Sequence, residues 1–283
     1  MKNFIVPVDF SNESLNGLKL ALLFSKHTSI DIHMINVLNK TGDTEKGIID
    51  AEMKIAEDKF RDIIREFTPQ LGKDSSIGFT INRGRIYHEV VNLAETWPDS
   101  VITASTHGAS GFQELFIGSN AFRIISATEK PVIAIRKNGC PSNINKIILP
   151  IDLSIDSRQK VPFTTELARL FNAEIHVVGI HTLRGLGNKR KIRSYISQVS
   201  AFIEDKVHCE TNEVSGDNVA EMVVNYAHTV KADMISITTE KPSGISLLIG
   251  NTVHQILNKA EIPVLCMTPR NIRKSGTFVT TGG

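Results

Sequence analysis

Phe4-Ile5-Val6-Pro7-Val8-Asp9-Phe10-Ser11 is read a second time as Ile147-Ile148-Leu149-Pro150-Ile151-Asp152-Leu153-Ser154. The spacing, Asp9 to Asp152, is 143 residues. Asp31-Ile-His-Met-Ile-Asn-Val37 returns at the same spacing as Glu174-Ile-His-Val-Val-Gly-Ile180. Later, Ile117-Gly118-Ser119 returns as Ile249-Gly250-Asn251, and Lys130-Pro131-Val132 as Ile262-Pro263-Val264, now 132 residues apart. The second copy is therefore shorter in its middle. A period this long is a whole domain repeated, not a solenoid unit.

Within each copy, apolar runs alternate with amphipathic segments. The first copy predicts strands at Phe4–Val8, Ile32–Val37, Ile77–Ile81, Val101–Ser105 and Val132–Arg136. Between them, Ile49, Met53, Ala56, Phe60, Ile63 and Phe67 recur at steps of three and four, the spacing of one helix face. Ile86, Val90, Leu93 and Trp97 do the same, and Ile192, Ile196, Val199 and Ile203 form the stripe of the second copy. Short apolar strands separated by helices are buried on both faces, which requires parallel pairing. The expected fold is α/β: two tandem five-stranded parallel open sheets flanked by helices. The expected domains are 1–138 and 144–269, joined across the turn-rich Asn138–Asn143, with a flexible Ser, Thr and Gly-rich tail at 270–283.

With 41% hydrophobic and 22% charged residues the composition is that of an ordinary globular protein, and a net charge of +2 provides no field for nucleic acid or an anionic membrane. Three cysteines, Cys140, Cys209 and Cys266, have no metal-binding spacing and are odd in number. Free thiols and a cytoplasmic location are expected. The short apolar run after Met1-Lys2-Asn3 does not read as a signal peptide, and no later run is long enough to span a bilayer.

In an open parallel sheet, ligands bind beyond the carboxyl ends of the strands, where the strand order reverses. Two such ends carry suggestive residues. One is Pro7-Val8-Asp9-Phe10-Ser11. The other is Ala104-Ser105-Thr106-His107-Gly108, followed by a helix start at Gly118-Ser119. Glycines admit close backbone approach, and a helix N-terminus offers unpaired N–H donors to a phosphate. A carboxylate at Asp9 is able to accept from an adenine amino group. The plainer reading stands beside this one: Ser11 caps the first helix, Asp9 shapes the turn, and the glycines only make a loop. No G-x-x-x-x-G-K-[ST] is present, and Gly185-Leu186-Gly187 lacks the third glycine of a dinucleotide fingerprint, where Arg190 stands. The cluster Arg184, Lys189, Arg190, Lys191 and Arg193 reads as a solvated helix face.

Asp9, Val37, and Ser105-Thr-His-Gly108 followed after nine residues by Gly118-Ser119 resemble the universal stress protein pattern, whose ATP-binding form is G-x-x-G, nine residues, then G-[ST]. Three of the four defining positions match; Ser105 replaces the first glycine. The resemblance covers nearly all of both halves. It implies that Pro7, Asp9 and Val37 line the adenine side, with Ala104, Ser105, Gly108, Gly118, Ser119 and Asn120 around ribose and phosphates. It implies ATP or AMP as ligand, with Mg²⁺ arriving on the nucleotide. It also implies an intrachain pseudo-dimer through the last strands, Val132–Arg136 and Val264–Thr268, with a homodimer as a further assembly.

The second copy keeps Asp152 but departs at its loop, Thr238-Thr-Glu-Lys-Pro-Ser-Gly244, then Gly250-Asn251. The family spacing puts Glu240 at the inner glycine, or Lys241 in the other alignment. A Glu carboxylate ~4 Å from a phosphate charge repels it by about 4 kcal/mol at an effective dielectric near 20, roughly a thousandfold in affinity. Pro242 removes another backbone donor. The second site is therefore expected to be degenerate. Catalysis is not expected: His107 is a lone loop histidine, His88 and Glu89 lie on a helix, and no nucleophile, base and orienting acid come together. The leading expectation is a nucleotide-responsive stress-response regulator. The alternatives are an interaction module with both sites empty, or a slow ATPase.

Overall fold

The computed structural model describes residues 1–40, 46–106, 118–136, 140–182, 188–239 and 250–269. The chain divides into two compact units, 1–142 and 143–283. The first contains strands Asn3–Pro7 (β1), Asp31–Leu38 (β2), Ser76–Arg83 (β3), Ser100–Ser105 (β4) and Val132–Ile135 (β5). Its helices are Leu15–Ser25 (α1), Lys46–Phe67 (α2), Ile86–Glu95 (α3) and Ser119–Ala127 (α4). The strands pair in the order β3-β2-β1-β4-β5, every pair parallel. From β1 the chain builds outward to β3, then returns to place β4 on the other side of β1. That reversal opens a crevice between the carboxyl ends of β1 and β4.

The central strands are apolar because both faces are covered. Phe4, Ile5 and Val6 of β1 are completely buried, as are Val101 and Ile102 of β4. The Phe4 ring packs against Phe24 of α1 at 4.9 Å. On α2 the expected stripe is buried at Ala56, Phe60, Ile63 and Phe67, and half-buried at Ile49 and Met53. Two local expectations differ. Trp97 lies beyond the end of α3 and stacks on His33 with centroids 4.2 Å apart. Helix α1 begins at Leu15, so Ser11 organises the preceding turn instead of capping the helix directly.

The second unit repeats the plan with strands Lys146–Ile151 (β6), Glu174–Thr182 (β7), Cys209–Gly216 (β8), Met234–Thr238 (β9) and Val264–Met267 (β10). Its helices are Val161–Phe171 (α5), Lys189–Glu204 (α6), Val219–Thr229 (α7) and Asn251–Lys259 (α8). The strand order is β8-β7-β6-β9-β10, again parallel. Ile192, Ile196, Val199 and Ile203 are buried on α6, while Lys189, Arg190, Lys191 and Arg193 are exposed. Cys140, Cys209 and Cys266 are free. Among the described residues, no helix is long and apolar enough to cross a membrane.

Candidate functional site

Beyond the end of β1 the chain makes a tight bend. The Asp9 carboxylate accepts hydrogen bonds from the Ser11 backbone N–H at 3.0 Å and from the Ser11 hydroxyl at 2.5 Å. Ser11 Oγ in turn accepts from the Ser14 N–H at 3.1 Å, and Ser14 Oγ accepts from the Asp9 N–H at 3.3 Å. This closed ring of side-chain and backbone bonds is the Asx-turn chemistry expected of Asp and Ser at these spacings. Between Asp9 and Ser11, Phe10 has φ 66°, a left-handed conformation that is strained for a bulky residue. It is held there by α2: the Phe10 ring meets Phe60 edge-on at 4.9 Å, and the Lys59 ammonium lies 5.0 Å from its centroid. Such strain persists only where surrounding contacts enforce it, and it concentrates at ligand sites.

Across the crevice, the chain leaves β4 at Ser105 and re-enters described structure at Gly118. The Gly118 N–H donates to the Thr106 carbonyl at 2.6 Å. A Cβ at Gly118 would sit 2.8 Å from that same oxygen, closer than real Cβ contacts come. Glycine is thus required for the helix start to approach the strand end. Its N–H is already used, so the donors left for a phosphate are the later ones of the first turn of α4, with the exposed Ser119 hydroxyl beside them. Among the described residues, helix α4 has no side-chain cap and no acidic residue in its first turn to offset its positive end.

Within the first unit, the Asp9 turn and the β4–α4 side face one cavity of about 150 Å³. Pro7, Asp9 and Val37 line it from one side; Ala104, Ser105, Gly118, Ser119 and Asn120 line it from the other. Eight of the nine candidate residues therefore come together. Gly108 lies outside the described residues, as do His107, Glu240, Lys241 and Pro242.

Asn36 was not legible as a site residue. It sits in the β2 run between Ile35 and Val37, is only 7% exposed, and donates from Nδ2 to the Val8 carbonyl at 2.7 Å. Among the described residues its Oδ1 has no hydrogen-bond partner, and the residue lines the cavity. A buried, unpaired acceptor is destabilising by about 1–3 kcal/mol unless something donates to it.

The second unit has its own cavity at the corresponding strand ends, of about 400 Å³. Asp152 repeats the turn of Asp9, accepting from the Ser154 N–H at 2.8 Å. Gly250 caps α8 with φ −53° and ψ 145°, close to Gly118 at −58° and 140°. Leu153, at the Phe10 position, is not among the residues with positive φ. The unexpected member is Lys160, at the position of Gly17 in the first unit. It is 2% exposed, lines the cavity, and donates from Nζ to the carbonyls of Pro150 at 2.7 Å and Ser157 at 2.6 Å. Burial pushes its pKa down to about 8, and the Asp152 charge opposes that shift. Comparing the copies position by position would have exposed the change from glycine to lysine; alone, a lysine at a helix start reads as solvated.

An open parallel α/β unit with a crevice at the strand reversal, repeated in tandem, defines the class of the fold. The universal stress protein family profile matches residues 1–136 and again 143–267, and the chain belongs to that family. A universal stress protein of Methanocaldococcus jannaschii is 24% identical over 146 residues, covering 48% of this chain and 82% of that protein. A universal stress protein structure from Archaeoglobus fulgidus superposes with a TM-score of 0.77 at 15% identity, covering 94% of this chain and 98% of that one. A putative universal stress protein from Pseudomonas aeruginosa gives 0.68 at 15% identity, over 95% and 94% of the two chains. The expected family and tandem α/β fold are thereby established; identities this low speak to fold and not to ligand.

Proposed function

We propose that the first unit binds an adenine nucleotide, ATP or AMP, between the Asp9 turn and the start of α4, and that the protein acts in stress response as a nucleotide-responsive regulator. The observation that carries this reading is the buried Asn36 Oδ1, which has no hydrogen-bond partner among the described residues, in a cavity that the Asp9 turn and the α4 terminus share. The pairing is chemically apt. An acceptor in the floor suits an exocyclic amino group, and the uncapped end of α4 suits phosphate. At about 150 Å³ the described walls fall below the roughly 300–1,000 Å³ of ordinary ligand pockets, so they would enclose the base end and leave the phosphates toward Ser119 and Asn120. If nucleotide binds, Mg²⁺ comes with its phosphates. We assign no catalytic residues; the regulatory role is one of binding.

The test is to purify the full chain natively, denature it, and identify released small molecules by mass spectrometry. Adenine nucleotide in near-molar ratio supports the reading. Protein that carries none, and takes up none from millimolar ATP or AMP, supports instead an interaction module with an empty first site. Steady ATP turnover lost on Ser119→Ala would replace the regulator with an ATPase.

A further inference from the structure

The two crevices leave opposite hydrogen-bonding capacity unused among the described residues. In the first unit the orphan is an acceptor, Asn36 Oδ1. The second unit has Gly179 at that position, so it has no side-chain acceptor there, and Ile196 Cδ1 lies where a Cβ would stand. What it has is Lys160. An ammonium carries three N–H donors. Two are used, on the Pro150 and Ser157 carbonyls, and the third has no acceptor among the described residues. No carboxylate of the described residues lies within ion-pair distance of Nζ; Asp152 acts on it only from farther away, at the exposed rim. A buried charge in this state is costly, and a bound anion would relieve it.

The rest of the cavity narrows the kind of anion. Its volume, about 400 Å³, is that of an ordinary small-molecule pocket. Its walls include Ile180, Val219, Val223, Ile237, Val253 and Ile256, with serine and threonine hydroxyls between them and two exposed carboxylates, Asp152 and Asp156, at the rim. One buried cation beside an aliphatic wall, with two carboxylates confined to the rim, suits a monoanion with an apolar body. A polyanion would bring more charge than Lys160 neutralises and would also face Asp152 and Asp156 at the rim. We propose that the second unit binds a small aliphatic monocarboxylate, with its carboxylate on Lys160 Nζ and its chain against the aliphatic wall.

Hexanoate and its neutral counterpart hexanamide are the probes, titrated calorimetrically into the full chain at pH 7. The expected result is one hexanoate per chain, bound about tenfold or more tighter than hexanamide, with the preference lost in Lys160→Gln. Prior saturation with ATP should leave the hexanoate affinity unchanged. If Lys160 only ties β6 to the following turn, Lys160→Gln loses stability while the unaltered chain shows no carboxylate preference, and the proposal is overturned. No hexanoate binding at millimolar concentration overturns it too, as does competition by ATP. The comparison of the two probes in the unaltered chain decides the matter even if the variant does not fold.

Discussion

Lys160 makes a stability prediction whose sign and size both follow from its surroundings. Its pKa is about 8 in the folded chain and 10.5 when solvated. Below pH 8 both states are protonated, and the folded state bears the whole penalty of the buried charge. Between 8 and 10.5 the unfolded chain holds the proton more often, so unfolding free energy rises with pH; above 10.5 the penalty is gone. At about 1.36 kcal/mol per unit, the full span is about 3 kcal/mol. Lys160→Met removes the titration. It also removes two hydrogen bonds to buried carbonyls, so its absolute stability at pH 7 reflects opposing effects. The pH slope of the difference is the clean quantity. Urea unfolding of both proteins from pH 7 to 10.5 should show wild type gaining on Lys160→Met by about 3 kcal/mol, most of it above pH 8. A difference that stays flat across this range would refute the placement of a charged lysine in the cavity.

Other outcomes follow from the first unit and the thiols. Gly118→Ala drives a Cβ against the Thr106 carbonyl and should abolish ATP binding while lowering stability by about 1–3 kcal/mol, whereas Gly250→Ala should leave ATP affinity unchanged; calorimetry and urea unfolding read both. Asn36→Leu removes the acceptor offered to the base and should weaken ATP by about tenfold or more, measured by titration against wild type. Cys266 is fully buried and its thiol is pushed far up by burial, so Ellman's reagent at pH 8 should not reach it until the protein unfolds. Burial and the neighbouring Glu204 and Glu210 push Cys209 up to about 11, so its labelling should be slow and should quicken as pH rises.

The architecture was legible because it is written in patterns that burial enforces. Strands covered on both faces need unbroken apolar runs, and Phe4 to Val6 and Val101 to Ile102 supply them. The repeat then fixed the number of domains. The two strand ends were legible because a parallel sheet brings the ends of adjacent strands together, whereas the full set of Pro7, Asp9, Val37, Ala104, Ser105, Gly118, Ser119 and Asn120 came from the family resemblance. Trp97 was misplaced because its spacing continues the α3 stripe although the helix stops at Glu95; the ring is held by stacking on His33 instead. Asn36 and Lys160 were missed for a common reason. Each is a polar residue whose importance lies in what it fails to pair with, and pairing is a property of three-dimensional neighbours. The strain at Phe10 was equally invisible, because its φ is imposed by Phe60 and Lys59, some fifty residues away in the chain.

The central claim is that this tandem chain takes one adenine nucleotide, in its first unit. Titrating ATP into the full chain, nucleotide-free and at fixed ionic strength, tests it most directly, with Gly118→Ala and Gly250→Ala run alongside. The account predicts a single site per chain, lost in Gly118→Ala and intact in Gly250→Ala. Two equal sites per chain, or one site that survives Gly118→Ala and disappears with Gly250→Ala, would contradict it.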